Sequence, residues 1–152
     1  MPRRKNKTSQ DAKEKNYVEK KTLAGASKDE LAVIANQIKS ANNIKILKEP
    51  QKTLVMVKVR ESVKNSLFYL GEVLATECMV TVDGTKGVSV IAGDDFEKAI
   101  AAAIIDGFLN GEWEKKDILR QIDELGKEQN KSREEINRQL RKSKVNFNVM
   151  GE

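Results

Sequence analysis

The side chains in this 152-residue chain that could do chemistry are few, and most are carboxylates. Asp94, Asp95 and Glu97 stand together, and such a trio could hold a divalent cation. They also stand where a helix begins. Capping explains them there: Asp94 caps the helix and Glu97 completes a capping-box-like pair. Glu72 and Glu77 are the remaining candidates for acid–base work. On a strand their odd separation points them to opposite faces, so they do not form a pair. The chain has no histidine. That removes the commonest general base, the commonest metal ligand and every Ser-His or Cys-His dyad. The one cysteine, Cys78, cannot build a zinc or iron–sulfur site by itself. It falls on the inward face of a strand and reads as a small buried apolar residue. No glycine-rich phosphate loop is present, and "VDGTKG" reads as a hairpin turn. The expectation is no catalytic, metal or cofactor residue in this chain.

The elements around these residues are organised by residues 67–93. From Val73 to Val82 the even positions Leu74, Thr76, Cys78, Val80 and Val82 point inward, while Glu77 and Thr81 point out. Asp83-Gly84 makes a tight turn, and Val88 to Ala92 is the return strand. Gly71 separates strand Leu67–Leu70 from strand Val73–Val82, which predicts a bulge or bend. Upstream, "TLVMVKVR" from Thr53 to Arg60 is a clear strand. Ile44 to Leu47 reads as a short edge strand stopped by Pro50. Residues 62–66 form a polar turn.

Helices flank this meander. Asp11 to Ala26 is a weak helical segment. Ser27-Lys28-Asp29-Glu30 is a capping box, followed by Leu31, Ile34, Ala35 and Ile38 at helical spacing, and Asn42-Asn43 ends that helix. Asp94 to Asn110 is apolar nearly all round, so it is buried on more than one side. The expected sheet-facing side is Phe96, Ile100, Ile104 and Phe108. Ala99, Ala102, Ala103 and Asp106 then face another helix or another chain, with Asp106 bound to a hydrogen-bond donor. After Gly111 a long charged helix runs to Lys144 with a thin apolar stripe, too sparse for a coiled coil. Val145 to Met150 alternates and could lie across a neighbour, with Phe147 at its centre. The predicted fold is α+β: an antiparallel meander of three to five strands packed against helices, with a long charged C-terminal helix. The predicted division is a basic disordered tail over 1–10, a core over 11–111, and a helical extension with a strand-like end over 112–152.

Composition narrows the function class. Apolar residues make up 39% and aromatics 5%, so the core is aliphatic and modest. Residues 1–22 hold eight Lys/Arg and three Asp/Glu, whereas the other 130 hold twenty of each. The net charge of +5 is thus a property of the tail. A nucleic-acid surface needs a basic patch on the fold, so no nucleic acid is expected. No apolar run approaches the ~18 residues of a membrane span. No secretory signal is evident, and one cysteine fits a reducing, cytoplasmic compartment. Two readings follow: a non-catalytic subunit that buries its alanine-rich helix in a larger assembly, or a small carboxylate/divalent-metal enzyme acting on phosphorylated substrates. The missing histidine and the all-round apolar helix favour the first.

The stretch from Thr53 to Asp95 resembles the G subunit of the carbon–phosphorus lyase core complex, the PhnG family. Leu54-Val55-Met56 and Phe68 carry the likeness, and above all Leu70-Gly71-Glu72-Val73-Leu74 with Thr76, Glu77 and Cys78. It continues through Asp83-Gly84, Gly87, Gly93, Asp95, Ala99, Ala102 and Asp106. The close "VNFNVM" resembles the family's ending. Val88, Val90, Asp94 and Ile100 depart from the family pattern. The resemblance implies a bacterial cytoplasmic assembly for phosphonate breakdown. There the G, H and I subunits with the L protein form α-D-ribose 1-methylphosphonate 5-triphosphate from ATP and methylphosphonate. The J subunit then cleaves the carbon–phosphorus bond using S-adenosylmethionine and an iron–sulfur cluster. It implies a transferase-complex subunit not catalytic alone, with no cofactor of its own. The I subunit is its most direct partner, and Ala99, Ala102, Ala103, Asp106 and Phe147 are the candidate interface.

Overall fold

The computed structural model describes the backbone of residues 6–145 and the side chains of 10–145. The chain runs α1 (Asn6–Gly25), α2 (Lys28–Ala41), β1 (Ile44–Arg60), β2 (Leu67–Val82), β3 (Thr85–Ala92), α3 (Phe96–Leu109) and α4 (Lys116–Lys142). The three strands form one antiparallel sheet in the order β1-β2-β3. The α+β class, the meander and the long C-terminal helix are as the residue pattern predicts.

Local signals explain most boundaries. Ser27 and Glu30 form the expected capping box of α2, each accepting the other's backbone N–H. The first helix starts at Asn6, ahead of the expected Asp11. At α3 the cap is Asp95 rather than Asp94: its Oδ1 accepts from the Lys98 N–H at 3.0 Å. Asp94 instead pairs with Lys52 across 2.7 Å. Pro50 does not stop a strand. β1 continues through it for 17 residues by shifting register between Ile46 and Lys48 and again between Lys48 and Gln51. The irregular pairing accommodates a residue that has no N–H to give the ladder.

The helices cover one face of the sheet. The inward positions Thr76, Cys78, Val80 and Val82 are buried as the alternation predicts, whereas Leu74 is exposed. α3 lies on β3 and β2 and carries α2 on its other side. Its sheet-facing stripe differs from the expected one. A Cβ placed on Gly87 of β3 would run into the Ala103 carbonyl and the Gly107 backbone, and the Ser89 hydroxyl donates to the Ala99 carbonyl at 2.6 Å. The small residues therefore face the sheet, because helix and strand approach too closely for larger side chains. Ile104 is also fully buried, but Phe96 is largely exposed and Phe108 packs on Trp113 with ring centroids 5.6 Å apart.

Every buried polar side chain among the described residues has a partner. Thr76 Oγ1 donates to the Gly93 carbonyl at 2.8 Å and accepts from the Asp95 N–H at 3.3 Å, tying β2 to the start of α3. No helix among the described residues is long and apolar enough to cross a membrane.

Candidate functional site

The strands have unequal lengths. β1 and β2 run for 17 and 16 residues, β3 for 8. The last β2–β3 pair is Ala75 with Ala92. Beyond it, Leu54–Arg60 and Leu67–Leu74 pair with each other, with no third strand among the described residues. They form a two-stranded ribbon that projects about 25 Å at ~3.3 Å per residue. No helix covers it.

Polar contacts fix the ribbon's two ends. At its tip Glu61 N–H donates to the Ser66 carbonyl at 2.9 Å. Arg60 donates to the Asn65 carbonyl at 2.8 Å, with Asn65 at φ +55°. At its base Lys48 and Gln51 both donate to Glu77 Oε1. Those two hydrogen bonds, Lys48's foremost, hold the Glu77 carboxyl below the usual glutamate pKa.

The side chains on this ordered ribbon are apolar on both faces. Leu54 is 62% exposed and Leu70 63%. Leu54 faces Leu74 on one side; Val55 faces Val73 and Val59 faces Phe68 on the other. The bulge expected at Gly71 is present: Val57 pairs with Gly71, and the next pair, Lys58 with Tyr69, skips Leu70. Gly71 has φ +157°. One skipped residue reverses the phase of the strand. It places Phe68 and Val73, five apart in sequence, on one face. That face continues onto the uncovered side of the sheet, where Val88 and Val90 stand opposite Met79 and Glu77.

The other candidate groups are accounted for within the fold. Burial pushes the Cys78 thiol pKa up, and its Sγ reaches the Lys48 carbonyl at 3.5 Å. Among the described residues no three His, Cys, Asp or Glu side chains gather where they could hold a metal ion.

A family model described as phosphonate metabolism protein PhnG matches residues 18–151. The chain belongs to the PhnG family. No curated protein matches it significantly. The family match covers the ribbon, the sheet and α2 to α4, and membership assigns the chain a role in phosphonate metabolism.

Of the candidate interface residues, four lie among the described residues. Ala99, Ala102 and Ala103 are buried within the chain's own core. Asp106 has its donors: the Val88 N–H at 3.0 Å and Asn110 Nδ2 at 3.2 Å, with Lys20 Nζ 3.9 Å away. It satisfies an N–H on the edge strand β3. Phe147 lies outside the described residues. Sequence reasoning missed Leu54, Phe68, Leu70 and Leu74 as a surface. The signal was available: two long strand-like runs meet one short return strand, which leaves part of both runs without a third neighbour.

Proposed function

We propose that this PhnG-family chain is a structural subunit of the carbon–phosphorus lyase core complex. In this reading it supports formation of α-D-ribose 1-methylphosphonate 5-triphosphate from ATP and methylphosphonate, and it does no chemistry alone. Its partners are the H, I, J and L subunits in the cytoplasm, the I subunit most directly. The observation that carries the reading is the ribbon. A two-stranded hairpin is marginal in water by itself, yet this one holds an ordered tip and apolar side chains on both faces. Contiguous exposed apolar surface of this kind marks a partner site.

Co-expression with the H-type and I-type subunits tests it. Leu54→Asp and Phe68→Asp alter exposed positions, so the isolated chain should keep its far-UV circular dichroism and melting temperature. Each variant should be lost from the purified assembly. Stoichiometric retention of both would overturn the proposal, as would adenine release from ATP and methylphosphonate by the chain alone.

A further inference from the structure

A second surface lies between α1 and α4. The two helices run in the same direction: Glu19 is near Lys115, Thr22 near Gly126 and Gly25 near Gln129. Gln129 Nε2 donates to the Thr22 carbonyl at 3.0 Å and closes one end of the contact. Between the helices is a groove of about 740 Å³. Its floor is apolar, with exposed Val18 beside half-buried Leu119 and buried Ile122. Its lining carries six Lys/Arg against two carboxylates, Glu19 and Asp123. Asp123 is already engaged by Lys127 at 2.9 Å. Among the described residues, Lys15, Lys21 and Arg133 make no ion pair.

α4 also outruns its neighbour. Thirteen residues of α4, Asn130 to Lys142, follow Gln129, whose Nε2 holds the Thr22 carbonyl, a length of about 20 Å. Leu140 lies 18 residues after Ile122, five turns at ~3.6 residues per turn, so both point the same way. Ile122 is buried, and Leu140 is 61% exposed. The apolar stripe therefore continues past the end of the body.

We propose that this groove docks an acidic amphipathic helix of a partner protein. The apolar floor takes the apolar face of a helix about 10 Å across. The unpaired cations on the rims meet its carboxylates. A nucleic acid would find cations but no polar floor for its phosphates. This surface is separate from the ribbon, so it does not depend on the reading above.

The test uses the full chain and a fluorescein-labelled 18-residue peptide with leucines at i and i+4 on one face and glutamates on the other. Its scrambled isomer and a single-stranded DNA oligonucleotide serve as competitors. The ordered peptide should bind at least about fivefold tighter than the scramble. Lys21→Glu with Arg133→Glu should weaken it about tenfold, and Val18→Asn should weaken it as well. All three positions are exposed, so melting temperatures should hold. Phe68→Asp should leave peptide binding unchanged. Equal binding of the scramble, indifference to the charge reversals, or tighter binding of the oligonucleotide would each overturn the proposal.

Discussion

Glu77 shows how one side chain can secure a local irregularity. Its Oε1 accepts from Lys48 and Gln51, which flank the register shift around Pro50. The folded state holds its pKa below the unfolded value. The stabilisation is therefore present above the unfolded glutamate pKa and lost as pH falls through the lower, folded one. Lys48→Met should move the Glu77 titration, followed by carboxyl NMR, back toward the ordinary value. The stability gap between variant and parent should close on acidification. An unmoved titration would refute the assignment. Gly87 makes the opposite kind of demand, for space rather than charge. A methyl there meets α3 backbone, which cannot swing aside as a flexible side chain can. Gly87→Ala should cost about 1–3 kcal/mol by overpacking, seen as a lower midpoint in urea denaturation. Neither role was legible in the sequence, because both depend on which residues the fold brings opposite one another. Inward Cys78 was legible, since a period of two needs no tertiary information.

At the scale of the element, patterns were read well where one interaction decided them. The capping box of α2 involves residues three apart and appears as expected. The bulge beside Gly71 also appears, because two strand-forming runs met there without turn residues. The orientation of α3 was not legible. Large apolar side chains were expected to face the sheet, yet Gly87 draws the helix so close that alanines and Gly107 do. Ala102 is 4% exposed, so Ala102→Leu should still destabilise by roughly 1–3 kcal/mol, now through the chain's own core. An unchanged melting temperature would show that the site can expand. The bulge carries its own prediction. Deleting Leu70 should restore regular pairing and leave Phe68 and Val73, then four apart, still on one face. Since no added Cβ would meet anything within 4 Å at Gly71, the region is open and the deletion should fold. The expected result is a cooperative melt with partner binding retained. Loss of binding despite a cooperative melt would show that the shared face of Phe68 and Val73 is not enough for the partner.

The whole molecule divides its apolar residues between a closed core and two open surfaces. The class and strand number were legible because hydrophobic alternation reports them directly. Exposure was not, because an apolar residue in a long strand looks the same whether or not a third strand covers it. The same ambiguity holds along α4, where one stripe contains buried Ile122 and exposed Ile136 and Leu140. Their energetic roles should separate. Ile122→Ala removes methyl groups from a filled core position and should cost about 2–5 kcal/mol. Ile136→Ser with Leu140→Ser removes side chains that already meet water. That pair should shift the chain's own stability only by the ~0.5 kcal/mol typical of surface changes. Thermal melts of both variants make the comparison. A large loss from the exposed pair would mean that the outer half of α4 packs on its own chain in solution. A small loss leaves the stripe apolar for a reason other than folding, which is what a docking surface requires.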